Sequence, residues 1–173
     1  MNALTREERL VAELEYLGVG YLSRQTFYHT NRVRSPNHLL SNLIQQPNSR
    51  IRTAVIAVLL SHPEYAQSVP ASLRKLKSED QLTFKLFYTA STLLQKIYAS
   101  RLKPFLAERW QWLPDLFSEE FNFQANQDPE DQLKRLGEIH QQKLGCHVNW
   151  YGSYRHAAEH LLHRWELERQ WSR

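Results

Sequence analysis

The chain has little cysteine, little glycine and no long run of apolar residues. Its 173 residues include one cysteine, Cys146, and five glycines. A single cysteine excludes an intramolecular disulfide and a zinc site built from several cysteines. The longest apolar run, Ala54 to Leu60, is too short to cross a bilayer, and the charged N-terminal residues do not resemble a secretory signal. These absences predict a cytoplasmic protein without a membrane segment, and the low glycine content favours helices.

The chain does carry many charges, and their distribution is uneven. The net charge is +4, but residues 1–109 carry 15 basic and 8 acidic residues. Residues 110–132 carry six acidic residues and no lysine or arginine. A basic body can bind nucleic acid, or the acidic segment can neutralise part of that body. Because the basic residues are scattered rather than clustered, the sequence favours neutralisation.

Apolar residues recur at helical spacing along most of the chain, and no segment alternates with period two for long enough to indicate a strand. The sequence predicts an all-α protein, a single helical domain over residues 1–173 in which six to eight helices form one compact bundle. The segment Ala54 to Leu60 is apolar on every side, so we expect it to be the most buried element.

Two capping boxes are predicted from serine or threonine followed three residues later by Glu or Gln. Thr5 with Glu8 would begin the first helix, which ends near Gly18. Ser78 with Gln81 would begin a helix over residues 79–102, which the sequence predicts to be the longest in the chain.

The last 25 residues predict an amphipathic helix. Its apolar stripe consists of residues spaced as on one helical face: Tyr154, Ala157, Ala158, Leu161, Leu162 and Trp165. His156, His160 and His163 fall on the other side, so we expect them to point away from the core. Their spacing could hold a metal, but without a HExxH motif or a cysteine pair the sequence predicts no metal site and no cofactor.

The run RHAAEH contains Arg155, His156 and His160 near the start of this helix. An arginine, a polar residue and a following histidine in a late helix resemble the active-site signature of the HEPN superfamily of small helical ribonucleases. The resemblance implies metal-independent RNA cleavage, often in a site formed across a two-fold dimer. It implies that Arg155 stabilises the charge on the phosphorane and that His160 transfers a proton. As an alternative, Arg155 pairs with Glu159 one turn further on, and the histidines form a solvated face.

A second candidate site lies where the buried helix begins. Asn48, Ser49, Arg50 and Arg52 place polar and cationic side chains at a helix N-terminus, where cations oppose the helix dipole. A bound anion would reverse that cost, so these residues form a candidate anion-binding site. The alternative is that both arginines pair with the acidic residues of 115–131 or extend into water.

A third candidate is the polar segment at residues 23–35. Its candidate nucleic-acid contacts are Arg24, Tyr28, Arg32 and Arg34. Basic residues interleaved with aromatic ones suit single-stranded nucleic acid, because cations contact phosphates and rings stack on bases. The alternative is that the aromatic side chains of this segment anchor a loop to the core.

The sequence contains no glycine-rich phosphate loop, no GxSxG motif and no dinucleotide-binding fingerprint. The sequence therefore favours a non-catalytic interaction protein that binds a protein partner or a second copy of itself through a helix face and contacts RNA or another nucleic acid. The alternative is a HEPN-like ribonuclease that uses Arg155, His156 and His160.

Overall fold

The structure is a computed structural model, which describes residues 4–22, 30, 32–145 and 147–173. The protein is all-α, and no strand occurs among these residues. The helices are α1 (Arg6–Tyr16), α2 (Pro36–Ile44), α3 (Ser49–Ser61), α4 (Val69–Leu73), α5 (Ser78–Ile97), α6 (Ala99–Leu106), α7 (Pro129–Leu144) and α8 (Trp150–Trp171). Short 3₁₀ turns occupy Pro63–Ser68, Ala107–Arg109 and Ser118–Phe121. None of the described helices combines the length and the apolar character that a membrane crossing requires.

Helix α3 lies at the centre of the bundle. It packs against α2, α5 and α8, and every residue from Ala54 to Leu60 is fully buried. Full burial of a valine, leucine or isoleucine side chain contributes roughly 1.5–3 kcal/mol, so this helix is a large part of the hydrophobic core. The prediction that this segment is the most buried element is consistent with these values. The exposed residues of α3, Ser49 and Arg50, lie at its N-terminal end, whereas Ser61 at the other end is buried.

The capping predictions have different outcomes. At α1 the Thr5 side chain accepts a hydrogen bond from the Glu8 amide at 3.2 Å, and the Glu8 carboxylate accepts one from the Thr5 amide at 2.7 Å, which confirms the first box. The second box is wrong. Ser78 already belongs to α5, the N-cap is Lys77, and no side chain caps this helix. The Gln81 side chain instead donates to the carbonyls of Leu73 and Leu76, which closes the preceding turn.

The predicted helix over residues 79–102 is divided in two. Helix α5 ends at Ile97, because Tyr98 leaves the helical conformation with φ −104° and ψ 14°. Helix α6 then continues through Pro104, two residues beyond the predicted end at residue 102. With 22 residues, α8 is longer than α5 with 20. The break turns the chain at Tyr98 and leaves its hydroxyl beside α8, where Arg155 donates to it at 3.2 Å.

Helices α7 and α8 form the last hairpin. Asp128 caps α7 through the Asp131 amide at 3.1 Å, and Gly145 ends it with φ +62°. Asn149 caps α8 through the Gly152 amide at 3.0 Å. Gly137 lets the two helices approach closely, because a Cβ atom there would lie 2.9 Å from the backbone nitrogen of Tyr151.

The two sides of α8 follow the sequence prediction. Tyr154, Leu161 and Leu162 are buried, and so are the two alanines of the stripe. His156 and His163 are exposed, and His160 is half-buried. Trp165 is also half-buried, and its indole N–H donates to the carbonyl of Gly18 at 3.0 Å.

Replacing Gly137 with alanine tests the close approach of α7 and α8. In an open helix interior this change would stabilise by roughly 0.5–1 kcal/mol. Here the added methyl group meets the backbone of Tyr151, so we expect the free energy of unfolding to fall by roughly 1–3 kcal/mol. Urea unfolding measures the change, and Glu138→Ala, at the exposed next position, is the control. A Gly137→Ala variant as stable as the wild type would contradict the proposed contact.

Candidate functional site

A pocket of about 860 Å³ opens where the N-terminal parts of α3, α5 and α8 meet the C-terminal part of α7. This size is suited to a ligand of some tens of atoms. Helices α3 and α8 contribute most of its charged and polar groups, and α7 contributes part of its floor. Its lining includes Tyr21, Ser49, Arg50, Arg52, Glu79, Asp80, His140, Trp150, His156 and His160.

Three of the four predicted anion-site residues, Ser49, Arg50 and Arg52, line this pocket. Asn48 does not, because its side chain is used within the fold. Its oxygen accepts from the Arg50 amide at 3.0 Å, and its amide group donates to Glu7 at 3.2 Å. Asn48 is therefore the N-cap of α3 rather than a ligand-facing group.

The alternative prediction is that these arginines pair with the acidic residues of 115–131 or extend into water. The pairing is wrong, whereas the exposure of Arg50 agrees with extension into water. Among the described residues no carboxylate lies within ion-pair distance of Arg50 or Arg52. The acidic segment instead supplies Glu120, which pairs with Lys85 at 2.9 Å, and Glu130, which pairs with Arg155 at 3.1 Å. Arg52 is half-buried and donates to the carbonyl of Gln46 at 3.3 Å, whereas Arg50 is exposed. Arg50 is thus the cation most available to a ligand.

The α8 side of the pocket carries two neighbouring imidazoles. The rings of His156 and His160 have centroids 4.0 Å apart, and the rings of Tyr21 and His160 meet in a T-shaped arrangement with centroids 5.4 Å apart. Burial lowers the pKa of His160, and charge on His156 and on Arg50 lowers it further. Arg50 therefore acts electrostatically on His160, although the two residues are far apart in sequence.

The floor of the pocket contains a stacked aromatic pair that the sequence reasoning missed. His140 of α7 is buried, lies parallel to Trp150 with ring centroids 3.6 Å apart, and shares a 2.5 Å hydrogen bond through Nδ1 with the Tyr154 hydroxyl. Burial, followed by the charge of Arg52, lowers the pKa of His140 to about 3, so the ring is neutral at neutral pH. The Trp150 indole N–H is buried and has no hydrogen-bond partner in the described structure. The helical spacing of His140 from Leu133 could have placed it on the inner side of α7.

Arg155 does not share the pocket with the histidines. Its guanidinium donates to the hydroxyls of Tyr98 at 3.2 Å and Tyr151 at 2.9 Å, and it pairs with Glu130 at 3.1 Å. The Tyr151 hydroxyl also donates to Glu130. Within one chain, Arg155 and His160 therefore lie on different sides of α8.

The predicted pairing of Arg155 with Glu159 is wrong, because Glu159 has another partner. Arg101 of α6 pairs with Glu159 at 3.0 Å and with Glu166 at 2.9 Å. A cation from another helix thus takes the carboxylate that sequence proximity assigned to Arg155.

The third candidate site is only partly described. Arg24 and Tyr28 lie outside the described residues. Arg32 is exposed, whereas Arg34 is engaged by the buried carboxylate of Glu13 through both its amide at 3.1 Å and its guanidinium at 2.7 Å. Arg34 therefore joins the segment before α2 to α1 rather than remaining free for a phosphate.

The described part of the chain contains no group of three or more His, Cys, Asp or Glu side chains placed to hold a metal ion.

Comparison of the chain with models of protein families, with curated proteins and with solved structures gives no match.

Burial of His140 predicts a loss of stability in acid. Because the folded pKa is about 3 and the unfolded value is 6.5, only the unfolded chain gains this proton as the pH falls from 6.5 towards 3. The free energy of unfolding should fall by up to about 1.4 kcal/mol per pH unit in that range, and above it this contribution is constant. Urea unfolding from pH 6.5 downwards measures the slope.

The variant His140→Gln cannot take up this proton, so its free energy of unfolding should depend less on pH. We expect that variant to be less stable than the wild type at neutral pH. His147→Gln, which replaces an exposed histidine, is the control and should keep the wild-type slope. Equal slopes for all three proteins would show that His140 does not remain neutral in the folded state.

The contacts of Arg155 predict a structural role. Arg155→Ala removes the hydrogen bonds and the ion pair that join α8 to Tyr98 and Glu130. Because the guanidinium is partly exposed, we expect the free energy of unfolding to fall by only about 1 kcal/mol. Arg164→Ala removes a surface pair with Glu168 within α8 and should cost about 0.5 kcal/mol or less. Thermal unfolding of both variants compares them, and an Arg155→Ala variant no less stable than Arg164→Ala would exclude this role.

Proposed function

We propose that this protein is a non-catalytic binding domain, and that its pocket holds a phosphate of single-stranded nucleic acid. The supporting observation is that Arg50 and Arg52 of α3 meet His156 and His160 of α8 in one pocket. The two arginines belong to α3 and the two imidazoles to α8, which is distant in sequence, and no carboxylate of the described residues pairs with either arginine. The guanidinium group suits phosphate, because its fixed donors match two phosphate oxygens at once.

Helix dipoles add to this preference for an anion. Neither α3 nor α8 has an acidic residue in its first turn, and both begin at the pocket. Their partial positive charges are therefore not compensated by side chains of their own helices, and the arginines of α3 increase the unfavourable charge. A phosphate would relieve both effects.

The size and the charge of the protein favour a nucleic-acid strand. A pocket of about 860 Å³ can accept one unpaired nucleotide, whereas a duplex requires an extended surface. The net charge of +4 would attract the rest of the strand. A free nucleoside monophosphate presents the same phosphate chemistry, so the experiment below distinguishes the two sources.

The ribonuclease hypothesis requires that Arg155 of one copy reaches His160 of another, since the two groups are separated within one chain. Arg155 is already engaged by Tyr98, Tyr151 and Glu130 within its own chain. For this reason we favour binding over cleavage. The binding of a protein partner or a second copy stays a prediction, and light scattering at several concentrations tests self-association.

Arg50→Gln should weaken binding of oligouridylate by roughly tenfold or more, because a charge-assisted hydrogen bond contributes about 1.5–3 kcal/mol. Fluorescence anisotropy measures the affinity over a range of salt concentrations. The salt slope of the variant should be smaller by about 0.7, the value for one lost phosphate contact on a single strand. Arg74→Gln removes an exposed arginine outside the pocket and should change the affinity less than twofold, a difference of only about 0.4 kcal/mol.

Three outcomes would contradict the proposal or revise it. An equal loss of oligouridylate affinity in Arg50→Gln and in Arg74→Gln would show that binding does not use the pocket. Uridine monophosphate binding as tightly as the oligomer would identify a nucleotide-binding protein instead. RNA cleavage by the wild type that His160→Ala abolishes would establish the ribonuclease hypothesis.

A further inference from the structure

The pocket also has an acidic side. Glu79 and Asp80 lie in the first turn of α5 and line the pocket together with Arg50 and Arg52. Glu79 is exposed and Asp80 is half-buried. In the described structure neither carboxylate forms an ion pair, with these arginines or with any other cation. Opposite charges therefore line the same pocket without neutralising one another.

A ligand that only carries negative charge would be repelled by this acidic side. Carboxylates accept hydrogen bonds but do not donate them when ionised. The group that faces Glu79 and Asp80 must therefore supply donors, while the phosphate faces Arg50. In a nucleotide the ribose hydroxyls are such donors, and they are close to the phosphate along the backbone.

We propose that Glu79 and Asp80 accept hydrogen bonds from the ribose 2′-hydroxyl, so that the pocket selects RNA over DNA. This inference rests on the proposed phosphate site. The 2′-hydroxyl is the group by which a protein can distinguish RNA from DNA at one position. Acidic side chains also recognise it in dinucleotide-binding folds of a different architecture.

The competing explanation is that the two acids only compensate the dipole of α5. Acidic residues in a first turn stabilise a helix, because they compensate the partial positive charge at its N-terminus. On that explanation, removal of the acids would change the affinity for ribose and deoxyribose strands by the same factor. The two explanations therefore differ in what they predict for the variant without the acids, namely the ratio of its affinity for the ribose strand to its affinity for the deoxyribose strand.

The experiment compares oligouridylate with oligodeoxyuridylate of the same length on the full chain. The wild type should prefer the ribose strand by roughly tenfold, the lower end of what a charge-assisted hydrogen bond contributes. In the double variant Glu79→Gln and Asp80→Asn this ratio should fall close to one. Its affinity for the deoxyribose strand should stay equal or rise, because the acidic repulsion of the phosphate is removed.

Two controls separate sugar recognition from general charge and from folding. Glu108→Gln with Glu138→Gln removes two exposed acids outside the pocket and should leave the ratio at its wild-type value. Strands with 2′-fluoro and 2′-O-methyl groups cannot donate from this position, so wild-type protein should bind them like the deoxyribose strand. This second measurement requires no variant and holds even if the double variant folds poorly.

The outcomes distinguish this inference from the proposed function. If both strands bind equally to the wild type and Arg50→Gln weakens both, the phosphate site stands and sugar selection is excluded. If the double variant keeps the wild-type ratio of ribose to deoxyribose affinity, Glu79 and Asp80 do not recognise the 2′-hydroxyl. If neither strand binds, or Arg50→Gln has no effect, the proposed phosphate site itself fails.

Discussion

The burial of α3 is the constraint on which the other features depend. Its segment Ala54 to Leu60 has no exposed residue, so this helix must be enclosed by α2, α5 and α8. A helix that is apolar on every side can reach water only at its ends. The polar residues Ser49, Arg50 and Arg52 are therefore confined to the surface at its N-terminal end, where α8 passes. The position of the pocket follows from the enclosure of this helix.

Helix α8 separates two groups of polar contacts by its own geometry. Five residues along a helix correspond to a rotation of about 140° beyond a full turn, so Arg155 and His160 cannot share one side. Tyr154 and Leu161 lie between them in the core. Arg155 joins α8 to the start of α7 and to Tyr98, whereas His160 faces the pocket. One flank of this helix thus stabilises the hairpin while the other remains open to a ligand.

Most of the fold and several residues of the candidate site could be predicted from local patterns, but the meeting of these residues in one pocket could not. The helical spacing of the α8 stripe and the capping box at Thr5 are properties of neighbouring residues, and the structure has both. The predicted pair of Arg155 with Glu159 failed because partners on other helices competed: Arg101 binds Glu159. The meeting of Arg50 with His160 depends on the packing of α3 against α8, which no local pattern contains.

The acidic residues explain why the α3 end remains positively charged. Three of the six acidic residues of 110–132 have partners away from the pocket: Glu120 binds Lys85, Glu130 binds Arg155, and Asp128 caps α7. The carboxylates that do line the pocket, Glu79 and Asp80, belong to a helix whose dipole they compensate, and they form no ion pair among the described residues. A purely anionic ligand is repelled on their side, and a purely cationic ligand is repelled by Arg50. A ligand that places phosphate and hydroxyl groups next to each other satisfies both sides at once.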